Sequence, residues 1–180
     1  MKKILALMIL FGCSLNAVAT DAAGTEALSA IDTLDVPRYM GKWFEIARYP
    51  NWFQKKCVSD SSAEYSMRAD GRVQVVNRCR LGNGDVKEAI GTARHIGGST
   101  SAKLKVSFVQ PWLSFIPAVW GDYWVIDLDN QYQLVAVSEP CRNYVWILAR
   151  TPTFEQKIFD AMLDRLKCRG FESDKLIPSK

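Results

Sequence analysis

Between Met40 and Arg150, apolar and polar residues alternate in eight short runs separated by turn residues. Runs of period two form strands whose successive side chains point to opposite faces. The runs are Met40–Pro50, Ser59–Met67, Arg72–Arg80, Val86–Ile96, Ala102–Phe108, Asp122–Leu128, Gln133–Val137 and Asn143–Arg150. Asp70-Gly71, between the second and third runs, is a strong hairpin signal. After Arg150 the period changes to 3.6, and Ile158, Phe159, Met162, Leu163 and Leu166 make one apolar stripe. Thr151-Pro152, or a capping box of Thr153 with Gln156, opens this helix, and Gly170 ends it. Sequential strands with short connections predict an up-and-down meander. Eight such strands close into a barrel wide enough for side chains or one small ligand. The expected fold is all-β: an eight-stranded antiparallel up-and-down barrel with one C-terminal α-helix packed outside.

The chain's start reads as an export signal. Met1–Lys3 is positive, Ile4–Phe11 is an apolar run, and Ala17-Val18-Ala19 has the small-x-small pattern of a signal-peptidase site. The apolar run is too short to span a bilayer. Residues 1–19 are therefore read as a signal peptide, 20–34 as a flexible lead-in and 35–180 as the folded domain. Losing Lys2 and Lys3 lowers the formal charge from +4 to +2, no footprint for nucleic acid. Leu10-Phe11-Gly12-Cys13 resembles a bacterial lipobox, so two exits are open. The chain is released into the periplasm after Ala19, or it is held at the outer membrane by a lipid on Cys13. Four cysteines remain, Cys57, Cys79, Cys141 and Cys168. In an exported chain they read as two disulfides with three connectivities. No two have zinc-knuckle spacing, so neither metal nor cofactor is expected.

The motifs resemble those of the lipocalin family. Gly41-x-Trp43 is similar to its first signature, Asp127-Leu128-Asp129 with Tyr132 to its second, and Arg150 in WILARTP to its third. GKWFEIARYP, AEYSMRADGRV, AKLKVSF and YVWILARTP are closest to the bacterial outer-membrane lipocalins of the apolipoprotein D-like type. The resemblance implies a calyx whose closed end is sealed by Trp43 with Arg150 stacked over it. Gly41, Trp43, Asp127, Asp129 and Arg150 are then structural residues.

With Trp43 and Arg150 pointing inward, parity turns Tyr144, Trp146 and Leu148 inward and favours Leu104, Val106 and Phe108. The family's usual parity adds Tyr123, Val125, Leu134 and Ala136. Ala47 shares the Trp43 face, and Tyr65 lies on the inner face of the second strand. These aromatic and small residues suit an elongated apolar ligand. Gln110–Gly121 joins the fifth and sixth strands at the open end, with Trp112, Phe115 and Trp120. It is expected as an apolar lip that takes in ligand or touches a membrane surface, or else as a plug. Topology places Cys57 beside Cys79, and Cys141 beside the end of the helix that carries Cys168. Those are the expected bridges.

An enzyme is not expected. The single histidine, His95, sits at a strand end, and there is no Gly-x-Ser-x-Gly, phosphate loop or metal cluster. Glu45 shares the Trp43 face, either as a structural hydrogen-bonder or as the seat of a ligand's polar end. The function that follows is binding, storage or transport of a fatty acid, lysophospholipid or similar lipid in the bacterial cell envelope. A lipid-modifying isomerase or hydrolase using the same cup is the alternative. The sequence leaves monomer and homodimer both open.

Overall fold

The computed structural model describes residues 26–179. The segment read as a signal peptide, Cys13 and the first part of the lead-in lie outside the described residues. The strands are β1 Gly41–Arg48, β2 Cys57–Met67, β3 Val73–Leu81, β4 Val86–His95, β5 Lys103–Ser107, β6 Gly121–Leu128, β7 Leu134–Ser138 and β8 Val145–Ala149. Each pairs antiparallel with the next, and β1 pairs with both β2 and β8, which closes the barrel. The Asp70-Gly71 hairpin joins β2 to β3 in the expected register, with Tyr65 opposite Val75.

A ninth strand, β9 at Ile177–Pro178, was not expected from the tail. Its cause lies in β1 and β2. They pair only over Gly41–Phe44, and just beyond, between Ser59 and Ser62, β2 shifts register against β3 with Asp60 at φ 54°. The upper edge of β1 would be left without backbone partners. β9 pairs with Ala47 and Arg48 there, and the Ser179 N–H donates to the Ile46 carbonyl at 2.8 Å.

Two apolar layers result. One fills the lower barrel and includes Trp43, Tyr65, Val73, Val75, Leu104, Val125, Val135 and Val137. The other lies between the barrel wall and the helix α2, Gln156–Cys168. Met162 and Leu166 are the buried part of the stripe, and Ile158 is 40% exposed. The helix begins later than expected, with Glu155 at the N-cap and no side-chain cap. The Thr151 hydroxyl instead donates to the Thr153 carbonyl, which spends it on a local turn.

Part of the lead-in, where it is described, packs against the barrel. Leu28 and Leu34 are buried, the Ile31 N–H reaches the Val125 carbonyl at 2.9 Å, and the Leu34 N–H reaches Thr100 at 2.8 Å. A one-turn helix, α1 at Val36–Tyr39, is capped by Asp35 and feeds β1. Leu34, Val36 and Tyr39 join the interior layer, so this segment forms part of the barrel floor.

Cys57 and Cys79 are bridged, with Cα atoms 5.6 Å apart. Cys141 and Cys168 are not: both are free and exposed. The loop and the helix end do meet, but through Arg142, whose Nε donates to the Arg169 carbonyl at 2.9 Å. The Cys141 N–H is meanwhile held by the Glu139 carboxylate at 2.7 Å. Alkylation of the unreduced protein is expected to label Cys141 and Cys168, whereas Cys57 and Cys79 label only after reduction. Peptide mapping that shows Cys141 and Cys168 protected would contradict this arrangement.

Candidate functional site

The barrel encloses a cavity of about 690 Å³, within the range of small-molecule sites. It opens at the end that carries the β1–β2, β3–β4, β5–β6 and β7–β8 connections. Its opposite end is sealed by Trp43, which is fully buried. The Arg150 guanidinium lies 3.9 Å from that ring's centroid. Arg150 also donates to the carbonyls of Arg38 at 2.5 Å, Met40 at 2.8 Å, Lys42 at 3.2 Å and Tyr132 at 3.3 Å. Gly41 has φ 93°, and a Cβ there would stand 3.4 Å from that guanidinium. The Trp43 indole N–H is bonded to the Tyr39 carbonyl at 2.9 Å. Asp127 forms a bidentate pair with Arg165 at 2.6 and 2.8 Å, which ties β6 to α2. Asp129 accepts from the N–H groups of Gln131, Gln133 and Leu134 and closes the β6–β7 turn.

Of the expected lining residues, Tyr65, Leu104, Val106, Phe108, Tyr123, Tyr144, Trp146 and Leu148 face the cavity. Val125 points inward but is packed into the core below it. Ala47 and Ala136 face the helix instead. A register shift between Glu45 and Ala47 turns both Ile46 and Ala47 outward. A second shift, between Val125 and Asp127, sets Val137 opposite Val125 and sends Leu134 and Ala136 to the outer layer.

The β5–β6 loop is not a plug. Trp112 and Phe115 are 71% and 78% exposed and do not line the cavity. Trp120 is buried, but on the outer wall. The guanidinium of Arg94, an outward residue next to inward Ala93, lies 4.4 Å from its ring centroid. Of the β5–β6 connection, Phe108, Val109 and Val119 reach the cavity.

Several lining residues lie beyond the expected set. Trp52, Phe53 and Gln54 enter from the β1–β2 loop, and Leu34, Val36 and Tyr39 from the N-terminal segment. Val73 and Val75 add to the wall, as do Ala89 and Ala93, which alternation along the fourth strand puts on one face. Gly91 leaves room for Phe108, whose ring carbon would lie 2.7 Å from a Cβ at that position.

Besides Asn77, Arg78, Lys87, Asp122 and Glu139 along the wall, polar groups form two hydrogen-bonded clusters. On the upper wall, the Glu45 carboxylate accepts from Gln54 Nε2 at 2.6 Å and Ser179 Oγ at 2.5 Å, and pairs with Arg48 at 3.0 Å. Gln54 Oε1 accepts from the Trp146 indole at 2.9 Å and from Asn51 at 2.7 Å. Glu45 is thus a structural hydrogen-bonder that pins β9 and the loop to β1. On the floor, the Tyr123 hydroxyl lies 2.6 Å from that of Tyr39 and 2.9 Å from that of Tyr65. Burial raises all three phenol pKa values, that of Tyr65 to about 12.

His95 Nδ1 faces the Ser101 carbonyl at 3.1 Å. A carbonyl only accepts, so in the neutral ring Nδ1 carries the hydrogen. No serine or cysteine nucleophile is bonded to it, and no metal-holding cluster occurs among the described residues.

The sequence model of the Lipocalin-like domain matches residues 34–180. The outer membrane lipoprotein Blc of Vibrio cholerae serotype O1 is 38% identical over 154 residues, covering 84% of this chain and 85% of that protein. Temperature-induced lipocalin-1 of Arabidopsis thaliana is 38% identical over 83% of this chain and 80% of its own length. Apolipoprotein D of Bos taurus is 31% identical over 81% and 76%. Among solved structures, insecticyanin from the tobacco hornworm Manduca sexta superposes with a TM-score of 0.67 at 17% identity, over 87% of this chain and 85% of that one. The cockroach allergen Per a 4 gives 0.66 at 16% identity, over 85% and 91%. The barrel order, the Trp43–Arg150 seal and these matches together show that the chain belongs to the lipocalin family.

Proposed function

We propose that this protein binds and carries an elongated apolar lipid, a fatty acid or lysophospholipid or a close relative, in the bacterial cell envelope. The observation that carries the reading is the cavity, an apolar cup of about 690 Å³ sealed at one end and open at the other. Its floor and lower wall are aromatic and branched aliphatic, which suits an acyl chain. The charged group of the upper wall, Glu45, is satisfied by Gln54, Ser179 and Arg48. Export is supported by the Cys57–Cys79 bridge, since disulfides persist in oxidising compartments. It is also supported by similarity to proteins named as outer membrane lipoproteins. A lipid on Cys13 would place the cup at the outer membrane, and cleavage after Ala19 would leave it in the periplasm.

The test is to fill the cup. Ala89 lies on β4 and lines the cavity. Ala89→Trp is expected to weaken binding of a fluorescent fatty acid by tenfold or more, about 1.4 kcal/mol, with the melting temperature little changed. Undiminished uptake by this variant would mean that the ligand sits elsewhere.

Trp112 and Phe115 of the β5–β6 loop and Trp52 of the β1–β2 loop are strongly exposed on connections at the open end. Exposed apolar patches mark contact surfaces, and here the surface is a lipid bilayer from which ligand is drawn. Trp112→Ser/Phe115→Ser is expected to weaken adsorption to phospholipid vesicles and slow uptake, without lowering the melting temperature. A large fall in melting temperature with uptake intact would instead make the pair part of the fold.

A further inference from the structure

Around Glu45 the side chains of Gln54, Arg48, Ser179, Asn51 and Trp146 each have an acceptor. The floor is short of one. Tyr39, Tyr65 and Tyr123 bring three hydroxyl hydrogens, and the two contacts at 2.6 and 2.9 Å use two of them. Whichever way the chain of donors runs, one hydrogen is left over. No acceptor for it occurs among the described residues. The side chains are deep: Tyr39 is 3% and Tyr65 6% exposed, and all three tyrosines line the cavity. A buried donor without an acceptor is costly, so a native fold keeps one only where something else supplies the acceptor.

We propose that the tyrosine floor is a deep polar subsite for a neutral oxygen acceptor, a hydroxyl or carbonyl on the end of the ligand that enters first. The proposal rests on the lipid-binding reading and sharpens it. The ligand would be an elongated apolar molecule oxygenated at its buried end, not one with a plain methyl terminus. The acceptor is neutral because the nearest cation, Arg150, is spent on backbone carbonyls behind Trp43. An ionised carboxylate on the floor would be left without a counter-charge. Burial keeps the phenols protonated well above neutral pH, so the donor is present under all ordinary conditions.

The test compares straight-chain fatty acids with their ω-hydroxy and ω-oxo counterparts of equal length, each competing against a fluorescent fatty acid. At the best-fitting length the oxygenated acid is expected to bind roughly three- to tenfold more tightly, the worth of one buried neutral hydrogen bond. In Tyr39→Phe/Tyr65→Phe/Tyr123→Phe that preference should vanish while the plain acid binds as well as before or better. Replacing all partners of a hydrogen-bonded set by apolar groups of the same shape is nearly neutral for folding. Tyr65→Phe/Tyr123→Phe, which keeps one hydroxyl, should retain part of the preference and serves if the triple variant does not fold. Equal affinity of the wild type for both acids at every length overturns the subsite and leaves lipid binding standing. A preference that survives the triple variant overturns it equally. If the wild type binds neither acid, it is the lipid-carrier reading that fails.

Discussion

A Trp43→Ala variant is expected to lose about 3–5 kcal/mol of folding stability, the usual range for truncating a fully buried tryptophan. At roughly 2–4 °C per kcal/mol for a domain of this size, the melting temperature should fall by about 6–20 °C. The ring is fully buried, and it lies between Arg150 at 3.9 Å and Tyr39 at a centroid distance of 5.1 Å. Removing it opens a void where β1, α1 and the Arg150 cluster meet. Arg150→Ala acts by another route, since it strips a donor from the carbonyls of Arg38, Met40, Lys42 and Tyr132. Both variants should keep the ligand preference of the wild type at temperatures where they are folded. Circular dichroism melts with parallel binding assays check this. A variant that melts like the wild type yet no longer binds would make these residues part of the ligand site.

Cys57→Ser/Cys79→Ser is expected to cost about 3 kcal/mol, from the chain-entropy relation for a closed loop with the 22-residue separation of this pair. The bridge joins the start of β2 to the end of β3, beside the register shifts where β2 leaves β1. There the ladder is irregular, and the disulfide holds the mouth of the cup in its place. Urea unfolding should show a lower midpoint for the double variant, and treating the wild type with reductant should reproduce it. An unchanged midpoint would mean that the ladder alone holds this corner. The contrast with Cys141 and Cys168 is instructive. A tight hairpin fixes which residues of β2 and β3 are opposite, so the first pairing could be reasoned from topology. The second depended on how a loop meets a helix end, and there Arg142 makes the contact.

The alkaline limb of stability carries a further expected result. An unfolded tyrosine ionises near 10, whereas burial raises Tyr39, Tyr65 and Tyr123 above that, Tyr65 to about 12. The folded state therefore binds these protons more tightly than the unfolded state. Their contribution is fully present below pH 10 and is lost as pH rises through the folded values. Phenolate absorbance from the triad should appear together with unfolding, and replacing all three by phenylalanine should weaken that alkaline transition. Phenolate that appears while the fold is intact would mean that the floor is open to water.

Much of the architecture was legible because it follows from local rules. Alternation and turn residues placed all eight barrel strands, and the 3.6 period placed the helix. The seal of Trp43 and Arg150, by contrast, was legible only through the resemblance of their motifs to the lipocalin signatures. Eight of the expected lining residues were legible because parity holds along an unbroken strand. It fails at a bulge. One extra residue near Ile46 turned Ala47 to the helix, and one near Ile126 did the same for Ala136 through its pairing. Nothing local marks either site, because a bulge is set by how neighbouring strands must coil to close the barrel.

The sequence by itself determined what short-range geometry determines: the strands, their order, the hairpin register and the disulfide beside it. Tertiary structure alone decided where segments without a period of their own come to rest. The lead-in became the floor, the tail became β9, and Trp120 lay down on the outer wall. Such segments are placed by the unpaired backbone and uncovered apolar surface that the closed barrel leaves behind, and neither exists until the barrel has formed.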